Sequence, residues 1–147
     1  MLVCLLMLWT AGPPSSLLPL VNSEPLSPEK EQRTFALPTG FRIERVATEP
    51  NVIDPVALAF DERGRLYVAE MFGYPNGGRG TGVITSGRIR RLEDRDGDGV
   101  YEHSSIYAEG LRFPTGVMPW RDGLLVANAP DLLYFPRDGA KPRVLYT

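Results

Sequence analysis

From residue 55 onward, short apolar runs alternate with turn residues. The runs at Pro55–Phe60, 64–70, 87–92, 104–108, Pro114–Trp120, Gly123–Asn128, 132–135 and Arg143–Tyr146 are rich in valine, leucine, isoleucine and tyrosine. Glycine, proline, asparagine and aspartate bound them. Segments of that length and composition are strands, and no helical period appears after the first third of the chain. The chain is expected to be all-β.

The runs repeat. Pro55-Val56-Ala57-Leu58-Ala59-Phe60 followed by Gly64-Arg65-Leu66-Tyr67-Val68-Ala69-Glu70 recurs as Pro114-Thr115-Gly116-Val117-Met118-Pro119-Trp120 followed by Gly123-Leu124-Leu125-Val126-Ala127-Asn128. The offset is 59 residues at the proline and at the glycine and 58 at the valine, as one deleted residue would produce. Each copy continues into two further runs, so each holds four short antiparallel strands, the composition of a β-propeller blade. Two hairpins of a β-sandwich are the alternative. The expected fold over 40–147 is thus a propeller fragment of about two four-stranded blades. Propellers close with about four to eight blades, so the chain is expected to be the front end of a longer protein. Phe41 to Ala47 would be the outer strand of its last blade. Pro55–Phe60 and Pro114–Trp120 are expected as equivalent inner strands, with Leu58 buried, so that Leu58→Asp would bury an unpaired charge.

The N-terminal third differs. Residues 2–9 form an apolar run too short to span a bilayer, followed by small residues and prolines, as in a signal peptide, although a basic start is missing. Cleavage after Ser23 is expected, with export to the periplasm or cell envelope and a linker over 24–39. The single cysteine, Cys4, lies in that leader, which leaves the mature chain without a thiol, a disulfide or a haem attachment motif. Net charge is −2 with acids and bases interleaved, which gives no footprint for nucleic acid.

One turn stands out chemically. Asp94-Arg95-Asp96-Gly97-Asp98-Gly99-Val100-Tyr101-Glu102 sets three carboxylates on alternate residues, then a glycine, then a fourth acid. Calcium takes six to eight oxygens at about 2.3–2.6 Å, and this order resembles the start of a calcium-binding loop. Asp94, Asp96, Asp98 and Glu102 would ligate through side chains and Val100 through its carbonyl. Ser105 stands where an EF-hand places its closing glutamate, and the flanks are β-prone, so the expectation is a calcium turn between two antiparallel strands. A solvated acidic hairpin tip is the plain alternative. The second copy keeps only Arg137-Asp138-Gly139 and is expected to hold no metal.

In a four-stranded blade the turn between strands two and three shares an edge with the connection to the next blade. That edge would carry the glycine-rich insertion 71–82, the link 109–113 and the turn Asn128-Ala129-Pro130-Asp131. Glu70, Tyr74, Arg79, Arg112, Asn128 and Asp131 are therefore the candidates for a cofactor or substrate site at a ring mouth. Each of them alone also suits a solvated loop or a turn. The glycines are followed by neither a lysine nor a helix, which argues against a phosphate loop. The only histidine, His103, lies beside the acidic turn and is expected at the surface.

The ordered set Asp54-Pro55-Val56-Ala57-Leu58-Ala59-Phe60-Asp61, Gly64-Arg65-Leu66-Tyr67-Val68-Ala69-Glu70-Met71, Asp96-Gly97-Asp98-Gly99, Phe113-Pro114-Thr115-Gly116-Val117 and Leu125-Val126-Ala127-Asn128-Ala129-Pro130-Asp131 resembles the N-terminal blades of the large bacterial membrane-bound dehydrogenase family. That family is similar to the soluble quinoprotein glucose and sorbosone dehydrogenases, which are six-bladed propellers. The resemblance implies an exported oxidoreductase acting on a sugar or polyol, with pyrroloquinoline quinone at the mouth and a separate electron acceptor. It also implies helical repeats and a haem-binding cytochrome c domain further along, with membrane association through the full-length protein. The quinoprotein catalytic histidine belongs to a later part of the ring, and no residue here matches it. Residues 1–147 alone are expected to be inactive. The rival expectation is a propeller that only binds a glycan or a protein.

Overall fold

The computed structural model describes residues 24–72, 87–136 and 141–147. They belong to two units, one ending at Thr34 and the other running from Phe35 to Thr147. In the first, Ser27 Oγ accepts the Lys30 N–H at 3.4 Å ahead of a five-residue helix, α1 (Pro28–Gln32). Proline at its first position and Glu29 and Glu31 in its first turn suit a helix start. The stretch expected as a linker therefore carries one capped, exposed helical turn. The expected leader, 1–23, lies outside the described residues.

The second unit is built of eight strands: β1 (Pro55–Phe60), β2 (Leu66–Glu70), β3 (Gly87–Glu93), β4 (His103–Leu111), β5 (Pro114–Trp120), β6 (Gly123–Asn128), β7 (Asp131–Pro136) and β8 (Arg143–Tyr146). They form two antiparallel four-stranded sheets, β1-β2-β3-β4 and β5-β6-β7-β8, each with neighbours in chain order. The all-β expectation holds, and β1, β5, β6 and β8 match their predicted runs. β4 is longer than its apolar run because Gly110, at φ 73°, lets the chain turn while Leu111 still pairs with Gly87. Phe41 to Ala47 carries no strand.

The repeat maps onto the sheets residue by residue. In the first, Pro55 pairs with Glu70, a bulge follows, and Ala57 pairs with Ala69. In the second, Pro114 pairs with Asn128, a bulge follows, and Gly116 pairs with Ala127. The 59-residue offset in the first strand and 58 in the second thus reflect one register. The deleted residue falls in the turn between the paired strands.

The sheets pack with non-equivalent faces together. Tyr67, Ala69, Ile89, Ala108 and Leu111 of the first sheet form one buried cluster with Leu124 and Val126 of the second, edged by Ala57, Val117, Leu133 and Phe135. Leu124 and Val126 are the counterparts of Leu66 and Val68, which point to the far face of the first sheet. There they form a smaller cluster with Leu92, covered by Ala47, Val52 and Tyr101. One face of the repeat therefore docks on the opposite face of its neighbour. The approach is closest where a Cβ built on Gly87 would lie 2.5 Å from Pro114 Cδ, so only glycine fits at the start of β3.

This packing corrects one expectation. Leu58 lies on the far face and is 62% exposed, so an aspartate there would not be buried. Its counterpart Val117 is the residue placed against the neighbouring sheet.

Candidate functional site

Strand order alone separates two edges of the sheets. The acidic turn, connecting β3 to β4, lies at one edge with the turn Asp61–Arg65 and the turn at Arg121 and Asp122. The ends of β2 and β6 and the β4–β5 link lie at the other.

In the acidic turn the carboxylates first organise the backbone. Asp94 accepts the Gly97 N–H at 2.7 Å and the Gly99 N–H at 3.0 Å, one on each oxygen. Gly97 and Gly99 stand at φ 81° and 91°, a left-handed backbone that glycine adopts without strain. The hydrogen bond from Gly97, with help from Gly99, holds the Asp94 carboxyl below its ordinary value. Asp96 accepts the Asp98 N–H at 3.2 Å and Asp98 the Val100 N–H at 2.7 Å. The turn is fixed to its sheet by Tyr101, which donates its backbone N–H to Val46 O (2.8 Å) and its hydroxyl to Gly64 O (2.9 Å).

Carboxylate oxygens of Asp94, Asp96 and Glu102 all lie within 4.8 Å of one another. Two oxygens bound to one calcium at about 2.3–2.6 Å are at most about 5 Å apart, so these three fit a common ion. Asp98 stands outside that trio, and its Oδ1 is engaged by the Val100 N–H. His103 is exposed, with its Nε2 3.4 Å from Glu102 Oε1. The counterpart turn at 137–139 lies outside the described residues.

At the opposite edge, two of the expected mouth residues serve the backbone. Glu70 is completely buried. Its Oε1 accepts the Ile53 N–H at 2.7 Å, and both oxygens take the Arg90 Nε–H, at 3.0 and 3.1 Å, while Arg88 Nε donates to Oε2. Arg88 also stacks over the Phe72 ring at 4.4 Å, and Arg90 donates to Ser104 Oγ at 2.8 Å. Asn128, the counterpart of Glu70, accepts the Arg112 and Phe113 N–H groups at 2.9 and 3.0 Å. Ile53 and Arg112 both stand two residues ahead of the proline that opens an inner strand. In both sheets, then, the side chain ending strand two holds the incoming backbone by the same N–H.

Arg112 is exposed at this edge. Asp131 is half-buried and accepts the Thr147 hydroxyl at 2.8 Å. Tyr74 and Arg79 fall in the insertion outside the described residues.

Two polar clusters escaped the sequence reading. The first is the pair Arg88 and Arg90: alternation along β3 puts both on the face of Glu70, and two cations directed into a sheet face call for an acid there. That alternation was the available signal. The second is Asp61, whose side chain is 1% exposed and pairs with Arg65 Nη2 at 2.6 Å. Asp61 also accepts N–H groups from Arg63 (2.9 Å) and Arg65 (3.0 Å), the Arg65 Nε–H (2.7 Å) and the Tyr67 hydroxyl (3.4 Å). Burial pushes the Asp61 carboxyl up, but the Arg65 side chain and these N–H groups outweigh it and hold it below its ordinary 3.8. A carboxyl lowered by folding stabilises the fold above its unfolded pKa and loses that contribution as pH falls through the folded value. Asp61→Asn should therefore destabilise the chain by about 1–3 kcal/mol at neutral pH. The difference from wild type should shrink below about pH 4, where the unfolded carboxyl begins to protonate. Urea titrations at several pH values measure this, and a gap independent of pH would show that Asp61 acts by shape alone.

Residues 27–140 match the family model described as a domain of unknown function, DUF7133. The chain belongs to that family. No curated protein and no solved structure matches it.

Proposed function

We propose that the two sheets are consecutive blades of a β-propeller in an exported oxidoreductase acting on a sugar or polyol. The observation that supports the ring is the packing of one repeat face on the opposite face of the next, since such head-to-tail contacts generate rings when their rotation closes. The chemistry rests on the resemblance to quinoprotein dehydrogenases, and export on the apolar leader over 1–23. In this reading the edge with Arg112, Asn128 and Asp131 faces the mouth. Pyrroloquinoline quinone, when bound, supplies a carbonyl that accepts the electrons of the substrate C–H bond. The described residues could offer its carboxylates Arg112, since the oxygens of Glu70 and Asn128 already serve arginines and backbone.

The test is direct. Purified protein carrying the complete ring should bind pyrroloquinoline quinone and oxidise an aldose or polyol with an artificial electron acceptor. No quinone uptake and no acceptor reduction would move the assignment to a propeller that binds a glycan or a protein.

Calcium at Asp94, Asp96 and Glu102, with the Val100 carbonyl, is proposed as a brace for the first sheet; Asp98 would join through its second oxygen while its Oδ1 keeps the Val100 N–H. It lies at the edge opposite the mouth, where it would stabilise without touching substrate. An ion at a hundred times its Kd adds about 2.7 kcal/mol to stability, so chelation should lower Tm by several degrees. Asp96→Ala should abolish that response. If melting ignores both chelator and calcium, the turn is a hairpin tip held by its own N–H groups.

A further inference from the structure

We infer that the cleft between the last strands of the two sheets is a docking groove for an extended peptide, one that carries an acidic and a basic side chain about four residues apart with apolar residues between them. The cleft measures about 740 Å³. One wall is residues 105–111 of β4, and the other is Leu133, Phe135 and Pro136 of β7 with Lys141 ahead of β8. It therefore lies between the sheets and not on either outer face.

The strand β4 is shaped for this place. Its register with β3 slips where Ala108 pairs with Ile89 and Ile106 with Arg90, which leaves Tyr107 without a partner on β3. A bulge of this kind re-aims the extra side chain. Tyr107 reaches the second sheet, where its hydroxyl donates to Phe135 O at 3.4 Å, and its ring meets Tyr67 edge-on at 5.4 Å. Among the described residues β4 pairs only with β3, and the free side of an end strand is what an extended peptide adds to.

The chemistry of the lining selects the occupant. Its neutral side-chain oxygens are engaged: Ser105 Oγ donates to Arg91 O at 3.3 Å, Tyr107 to Phe135 O, and Asn128 Oδ1 accepts two backbone N–H groups. That leaves little for the hydroxyls of a glycan. The charges are less engaged. Near the acidic turn each sheet contributes one cation, Arg91 and Lys141. Arg91 Nε lies 3.3 Å from Glu93 Oε1, but its Nη groups and Lys141 Nζ make no hydrogen bond or ion pair among the described residues. Glu109, equally without one, stands four residues along β4 from Ser105, the partner of Arg91. At about 3.3 Å per strand residue, the cationic and acidic ends are roughly 13 Å apart. Ala108, Leu133 and Phe135 line the space between. An extended segment with opposite charges at that separation matches both ends and the apolar walls, whereas a small anion would meet only one end.

The inference needs only the packing of these two sheets and is independent of any quinone. Fluorescence anisotropy of short end-capped peptides on the full-length protein tests it. The probes run glutamate, valine, threonine, valine, lysine, and the same residues in reverse order. At least one order should bind, and a peptide with glutamate at both ends should bind about tenfold more weakly. Glu109→Lys should invert that preference, and Lys141→Gln should weaken the mixed-charge peptide severalfold. Both residues are exposed, so far-UV circular dichroism should not change. Binding of neither order overturns the inference, and so do equal binding of all three peptides, a preference that Glu109→Lys leaves unchanged, or tighter binding of oligogalacturonate than of any peptide. Quinone uptake should be the same in both variants, so failure of the groove and failure of the dehydrogenase reading are separate results.

Discussion

Glu70→Gln is expected to destabilise the two-sheet unit by about 3–5 kcal/mol, the cost of breaking a buried ion pair by removing one partner. The physical reason lies in what is left behind. Glu70 has no exposed surface, and its oxygens accept from Ile53, Arg88 and Arg90. Without the negative charge, Arg88 and Arg90 keep their positions along β3, only 20% and 13% exposed, with no other carboxylate paired to them among the described residues. The amide of a glutamine preserves the shape but presents only one acceptor oxygen, so the arginines compete for it with the Ile53 N–H. The approach to β1 should loosen as well, because that N–H fixes the chain two residues before Pro55. Asn128→Ala removes the corresponding hold in the second sheet without unpairing a charge, so it should cost less, about 1–3 kcal/mol. Equilibrium urea unfolding of the two variants measures both. Equal small losses would mean that the arginines find water or another acceptor, and that Glu70 does not organise the edge.

Strand existence was legible because each run is short, apolar and closed by a turn residue, and because the runs recur at a fixed offset. What a single run cannot show is which of its faces meets another sheet. Alternation along β1 places Leu58 and Ala57 on opposite sides, and the larger side chain looks like the core residue. The structure puts Ala57 against the second sheet and Leu58 outward, since the inner strands approach closely enough to favour small residues there. The candidate site was legible in a similar way. Alternating acids and two glycines marked the turn, and the structure brings Asp94, Asp96 and Glu102 together. Asp98, equally acidic, stands outside that trio, and its hold on the Val100 N–H is a local contact that spacing does not reveal. Glu70 was expected at the mouth because it ends a strand; its burial and its two facing arginines show a structural role that the strand end did not reveal.

Val117→Asp is expected to destabilise the chain by about 2–4 kcal/mol, whereas Leu58→Asp at the equivalent position should change monomer stability by less than about 0.5 kcal/mol. The two residues share a register position: Val117 pairs with Val126 as Leu58 pairs with Val68. They share a face as well. What differs is the neighbour. Val117 packs on the cluster of Tyr67, Ala69 and Ile89, where a carboxylate would lose water and find no donor, while Leu58 stands 62% exposed. An ionised group forced into such a site either stays charged at a cost or protonates, so its folded pKa would be raised where that of Asp61 is lowered, and the Val117→Asp defect should shrink as pH falls toward the carboxylate range. Equilibrium urea unfolding of the two variants beside wild type measures both. If both substitutions cost the same, the sheets do not pack with opposite faces together, and the head-to-tail geometry behind the ring fails with them.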